Sequence, residues 1–190
     1  MSSADVGTAD VGTPDMGTPD VGTPDVSAET PAPAISVASP LPGRLIPLSE
    51  VPDPVFAKGL VGGGAAVIPD DDAGVLTAVA PLDGRVIKVM PHAYIVQHAS
   101  GPAVLVHVGI DTVGLKGEGF TVLAQKGDQV RAGDPMISVD VTLIRSKDLS
   151  MCSPVVILDS AADAIEPPSS GGRVEAGAHL FNLPGKRPAK

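Results

Sequence analysis

AYIVQHASGPAVLVH, residues 93–107, decides the fold: two short β-branched and aromatic runs, Ala93–Gln97 and Ala103–His107, enclose the turn-forming residues of HASGPA. That pattern predicts a β-hairpin. His92 precedes the first run and His107 ends the second, so two imidazoles flank one hairpin. Because side chains alternate along a strand, the two share a face only if the loop holds an even number of residues; two or four would serve. With Ala99–Pro102 as a four-residue loop, His98 faces Ala103 and His92 lies diagonal to His107, about 7–8 Å away. The shared face would then also carry Tyr94, Val96, Ala103 and Leu105. Two unrelated strand histidines fit the same pattern, and geometry alone leaves the choice open.

Outward from the hairpin, short apolar runs alternate with Gly, Pro and Asp, and helical periodicity is sustained only around Val141 to Leu149. This is an all-β pattern. PLPGRLI at Pro40–Ile46 is echoed by PLDGRVI at Pro81–Ile87, and VRAG at Val130–Gly133 by VEAG at Val174–Gly177, at offsets of 41 and 44 residues. Similar offsets for two separate motifs predict a duplicated half.

The N-terminus is a five-residue repeat (ADVGT, ADVGT, PDMGT, PDVGT, PDVSA) whose single Val or Met per unit cannot bury enough surface to offset ordering. Residues 1–37 therefore read as a disordered acidic tail, and 38–190 as one domain. Residues 1–35 hold Asp5, Asp10, Asp15, Asp20, Asp25 and Glu29 and no Lys or Arg, so the −9 net charge leaves only about −3 for the rest. A body without a basic patch, with no Trp, one Tyr and three Phe, lacks both the charge and the stacking surfaces of a nucleic-acid binder. Neither a secretory signal nor a run of about 18 apolar residues is present, and a cytoplasmic protein is expected.

Phosphate loops and serine elbows find no footing. Val61-Gly-Gly-Gly64 and Lys116-Gly-Glu-Gly119 run into Ala65 and Phe120 without the Lys and Ser/Thr a P-loop needs, and no G-x-S-x-G occurs. Cys152, the only cysteine, reads as a packing residue.

HVGIDTVGLKGEGF at 107–120, with PHAYIV upstream, resembles the glucose-class IIA phosphocarriers of the bacterial phosphoenolpyruvate-dependent sugar phosphotransferase system. The resemblance extends from SPLPGRLIPLSEVPDPVFAKGLVGGGAAVIP through VAPLDGRV, GDQVRAGDPMISVD and SPVVILDS to VEAGAHLFNL. It implies an antiparallel β-sandwich or flattened barrel of two duplicated motifs with at most short helical turns. It also implies a phosphoryl relay: His107 accepts phosphate from the carrier protein HPr and passes it to a IIB component, with His92 stabilising the phosphoryl group. Imidazole suits the task, being substantially unprotonated near neutral pH. By the same resemblance, Val55, Phe56, Leu60, Val61, Leu105 and Val113 form an apolar docking ring. Asp53 and Asp111 are placed to meet arginines of the incoming carrier. No cofactor is required, and contact with the membrane is only indirect, through the permease.

The chain departs from the enteric members. It is two residues shorter between Gly84 and His92, Val89–Pro91 replace an aromatic and a threonine, Leu105 replaces a phenylalanine, and the amphipathic N-terminal helix is missing. Those changes bear on partner choice more than on transfer chemistry. Rival readings are a lysostaphin-type zinc peptidase, a regulatory binding module, and a biotin or lipoyl carrier. The first needs a third ligand beside His92 and His107, at which zinc binding would be incidental, and His98 and His179 read as ordinary. The last needs a lysine at a hairpin tip, whereas Lys88 sits within a strand-like run.

Overall fold

Residues 34–165 and 171–183 are described by a computed structural model. All five repeats, and residues 1–33 of the segment read as a disordered tail, lie outside the described residues. The elements are β1 (Ser36–Ala38), β2 (Gly43–Pro47), α1 (Pro54–Ala57), β3 (Gly64–Ile68), β4 (Val75–Val79), β5 (Gly84–Met90), β6 (Ala93–Gln97), β7 (Ala103–His107), β8 (Phe120–Val122), β9 (Gln129–Val130), β10 (Pro135–Asp140), α2 (Val141–Ser146), β11 (Ser153–Ile157), β12 (Arg173–Val174) and β13 (His179–Asn182). Two 3₁₀ turns, Leu48–Glu50 and Thr112–Leu115, complete the list. β1 starts inside the segment read as tail: Val37 is fully buried, pairs with Phe181, and Ile35 accepts a hydrogen bond from Leu183 N at 2.7 Å.

Eight strands form one antiparallel sheet in the order β12-β2-β3-β11-β7-β6-β5-β9, with two smaller sheets, β4-β10-β8 and β1-β13. The main core lies between them. Leu45, Val67, Val96, Val104, Val106 and Val155 point inward from the large sheet to meet Val37, Ile137, Val139 and Phe181 from the small ones. Tyr94 is fully buried there and its hydroxyl donates to Val79 O at 2.6 Å, so its one polar group is satisfied. A second cluster of Ile46, Leu48, Val51, Phe56, Ala66, Ile110, Cys152 and Val156 covers the opposite face of the large sheet. The alternation Leu45/Ile46, Ala65/Ala66 and Val155/Val156 divides the two clusters strand by strand.

The duplication is written in hydrogen bonds. Leu45 N donates to Gly172 O at 2.7 Å and Val86 N to Asp128 O at 2.9 Å; Gly177 N donates to Ser39 O at 2.8 Å and Gly133 N to Ala80 O at 2.9 Å. Ala38 N to Pro81 O (2.6 Å) and Val79 N to Pro40 O (2.9 Å) then cross between the halves. Each pair of bonds is related by the offsets of the two sequence echoes. Gly43 and Gly84 are equivalent glycines, and a Cβ on either would stand 2.2 Å from Ile68 O or 2.3 Å from Gln97 O, so strand approach demands glycine at both.

Hairpin register is where the sequence reading fails. Ala93 pairs with His107, Tyr94 with Val106, and Gln97 with Ala103, while His98 N donates to Pro102 O at 2.8 Å. The connection between His98 and Pro102 is thus three residues, an odd number. Tyr94 and Val96 consequently face the main core with Val104 and Val106, whereas Ala103, Leu105 and His107 lie on the opposite face. The four-residue loop and the proposed shared face are both incorrect, and His92 is not in a strand.

Candidate functional site

His92 occupies the two-residue turn Pro91–His92, closed by the Met90–Ala93 pair of β5 and β6. The ladder continues one step past the strands, Val108 N donating to His92 O at 2.7 Å, and this places His92 beside the end of β7. The two imidazoles meet with ring centroids 5.2 Å apart and planes inclined at 56°. Proximity arises from a turn residue against a strand-end residue, a route on which strand parity has no bearing.

Phe56 closes the other side of His107, centroids 5.6 Å apart at 59°. α1 carries it there. Asp53 caps that helix, its carboxylate accepting from Val55 N at 2.8 Å and Phe56 N at 3.2 Å, and Pro54 supplies the pre-set first turn. Asp53 therefore both orders the segment and carries a charge near the imidazole.

His107 Nδ1 stands 2.6 Å from the carbonyl oxygen of Gly109. A carbonyl can only accept, so Nδ1 holds the proton and the lone pair of the neutral ring is at Nε2. Gly109 adopts φ 76°, and a Cβ there would lie 2.6 Å from Thr112 Cγ2 and 2.9 Å from Ser150 O. Its amide donates to the buried Ser153 Oγ at 3.1 Å, and that hydroxyl donates to Met151 O at 2.8 Å. Thr112 Oγ1 donates to Val108 O at 2.8 Å, closing the turn from within. Gly109, Thr112 and Ser153 were missed from sequence. A glycine two residues after the histidine is a usable signal for the first; nothing local distinguishes Ser153.

Burial lowers the pKa of His107 below its ordinary value, opposed by the Gly109 carbonyl and then by Asp53 and Asp111. Burial also lowers that of His92, with the neighbouring His107 and Lys88 pushing the same way. Both rings are thereby biased to the neutral form. Asp111 adopts the left-handed conformation at φ 59°, immediately before the Thr112–Leu115 turn, and is exposed.

The apolar ring divides. Val55 (46 %), Leu60 (72 %) and Val113 (60 %) are exposed, so none is a core residue. Val61 and Leu105 are half-buried against the outer cluster, and Phe56 is buried within it. Cys152 lies in the same cluster, where burial pushes its thiol up to about 12 against the opposing charge of Arg44. It cannot present a thiolate. His98 Nδ1 engages Ser100 Oγ at 2.8 Å and His179 Nδ1 engages Ser36 Oγ at 2.7 Å, each away from the histidine pair. Among the described residues, no three His, Cys, Asp or Glu side chains converge as a metal site, and no helix is long and apolar enough to cross a membrane. Lys88 lies inside β5, away from any hairpin tip.

Comparison with known proteins matches residues 35–162 to a family described as phosphoenolpyruvate-dependent sugar phosphotransferase system, EIIA 1. The chain is 50 % identical over 129 residues to the PTS system mannose-specific EIIBCA component of Corynebacterium glutamicum, covering 67 % of this chain and 18 % of that one. It is 42 % identical over 125 residues to the PTS system glucose-specific EIIA component of Oceanobacillus iheyensis, covering 65 % of this chain and 73 % of that one. Among solved structures, the glucose permease IIA from Mycoplasma capricolum aligns with TM-score 0.71 and 31 % identity over 80 % of this chain and 97 % of that one. The chain thus spans 18 % of the length of each of the two corynebacterial EIIBCA relatives.

Proposed function

Because this chain belongs to the EIIA 1 family of the phosphoenolpyruvate-dependent sugar phosphotransferase system, we propose that it relays phosphoryl groups through His107. Nε2 of His107 attacks the phosphorus of the phosphohistidine on HPr; the donor N–P bond breaks, the new N–P bond forms, and Nδ1 keeps its proton. A nucleophilic side chain of a IIB component then attacks the same phosphorus; its bond to phosphorus forms, the Nε2–P bond breaks, and His107 returns to the neutral ring with its proton still on Nδ1. The observation that carries this reading is the 2.6 Å contact of His107 Nδ1 with Gly109 O, which leaves Nε2 as the nucleophile without any added base.

His92, 5.2 Å away ring to ring, is positioned to donate a hydrogen bond to a phosphoryl oxygen. Transfer between two carriers depends mostly on positioning and exclusion of water. The exposed Val55, Leu60 and Val113, with half-buried Val61 and Leu105 and the Phe56 ring behind them, supply the apolar rim, and Asp53 and Asp111 supply charge for basic residues of HPr. Relatives whose names join B, C and A in one component support IIB as the acceptor. The working place is the cytoplasm, with the membrane reached only through the permease. The family match favours this relay over a zinc peptidase or a regulatory binding module.

The test is incubation with phosphoenolpyruvate, enzyme I and HPr, followed by measurement of acid-labile phosphate. His107→Gln accepts none, whereas His92→Gln is phosphorylated and donates poorly to IIB. Label retained by His107→Gln overturns the assignment.

A further inference from the structure

At the opposite end of the β5–β6–β7 strands from His107 lies a cleft of about 640 Å³ lined by Asp83, Arg85, Gln97, His98, Gln129 and Arg131. Gln97 is four residues along β6 from Ala93, the partner of His107, so the cleft stands roughly 14 Å from the site above. The relay makes no use of it.

The duplicated half shows what this position holds. Arg44 is the equivalent of Arg85, and both pair with the last residue of the neighbouring strand, Arg44 with Ile68 and Arg85 with Gln97. Past those partners the chains differ: Asp70 and Asp71 in one half correspond to Ala99 and Ser100 in the other. In the Asp70 half the corresponding cleft, about 370 Å³ and lined by Arg44, Asp70, Asp71 and Arg173, has its cation neutralised by its own carboxylate. Arg173 grips the Asp70 carboxylate with both guanidinium nitrogens, and Arg145 reaches Asp71 at 3.3 Å and the carbonyl oxygens of Asp70 (2.6 Å) and Pro69 (2.8 Å).

In the Arg85 half the carboxylates are gone and the charges are redistributed: Gln129 stands where Arg173 does, pairing with Arg85 as Arg173 pairs with Arg44, and Arg131 stands where the other half has Glu175. Among the described residues, neither Arg85 nor Arg131 has a carboxylate within ion-pair distance. The one acid in the lining, Asp83, has Oδ1 engaged by Ala132 N at 2.8 Å, and Asp134 is likewise turned onto Arg131 N at 2.7 Å. Two guanidiniums and the amide of Gln129 line the cleft, with Gln97 Nε2 already donating to Gly101 O at 3.0 Å, and the volume suits a metabolite-sized ligand.

We propose that the Arg85–Arg131 cleft, whose two cations have no carboxylate partner such as Asp70 gives Arg173, binds a small multiply charged oxyanion, carboxylate or phosphate. The site is separate from the relay and stands whether or not His107 is the acceptor.

Titration of the full chain with citrate and, in a parallel arm, pyrophosphate, each against chloride at matched ionic strength, tests this by amide NMR. Saturable shifts are expected at Gly84, Gln97–Gly101 and Gln129–Arg131 and not around His107, and the arm that saturates at lower concentration identifies the head group. R85Q and R131Q each weaken binding at least tenfold, whereas R173Q, whose cation is already neutralised by Asp70, leaves it unchanged. Both arginines are exposed, so the variants keep the fold. Shifts that fail to saturate at millimolar anion, that centre on His107, or that persist in both variants overturn the proposal.

Discussion

Replacing Gly109 by alanine strikes the contact that fixes the tautomer of His107. Two costs add. Gly109 sits at φ 76°, and an alanine in the left-handed region loses about 1–2 kcal/mol relative to glycine. The new Cβ would also lie 2.6 Å from Thr112 Cγ2 and 2.9 Å from Ser150 O, one a fully buried side chain and the other backbone, which adds roughly 1–3 kcal/mol of overpacking. Together these come to about 2–5 kcal/mol, or a fall in Tm of roughly 5–20 °C for a domain of this size. Gly177 provides the control, because it has φ 81° and nothing within 4 Å of its Cβ position. Gly177→Ala suffers the conformational cost alone, so the difference between the variants isolates the crowding.

The same substitution has a chemical consequence. The Gly109 carbonyl raises the pKa of His107 against burial, so pushing that carbonyl away lowers the pKa further. Nitrogen-15 NMR titration of the imidazoles reads both the tautomer and the pKa. Gly109→Ala is expected to lower the His107 pKa and to lose the fixed Nδ1 proton, while Gly177→Ala leaves both unchanged. Equal losses of Tm in the two variants, or a His107 titration that does not move in Gly109→Ala, refute the reasoning.

Both site histidines have lowered pKa values in the folded chain, so the unfolded chain binds more protons and stability rises with pH through the window ending near the ordinary value of 6.5. Urea unfolding at about pH 5 and about pH 8 should show this, and His92→Gln/His107→Gln should flatten the part of the pH dependence that these rings contribute. Leu60→Asp and Val113→Asp, at positions 72 % and 60 % exposed, should change stability by no more than about 0.5 kcal/mol yet slow phosphorylation by HPr; unchanged rates in both would remove these residues from the docking rim. Cys152, fully buried with its thiol pushed up to about 12, should resist a thiol reagent in the native chain and react on unfolding, as a colorimetric titration in denaturant would record.

What could be read from the sequence depended on whether the deciding interaction was local. The paired motifs at Pro40 and Pro81 announced the duplication because each copy keeps its own turn, glycine and strand in one short segment, and the hydrogen bonds of the two halves repeat them. The faces of the hairpin could not be read, because one residue of loop length inverts every side chain in a strand and HASGPA accommodates three residues as readily as four. Tyr94 and Val96 went to the core for that reason. His92 nonetheless arrives beside His107, since a turn residue is not bound by the alternation of the strand it precedes. The Gly109–Ser153 link spans 44 residues, and no local pattern reports it. The imidazole and carboxylate of His107 and Asp111 were therefore legible in HVGIDT, whereas the role of the glycine between them was not. The scaffold that selects Nε2 depends on a strand that pairs with β7 only after the chain has folded.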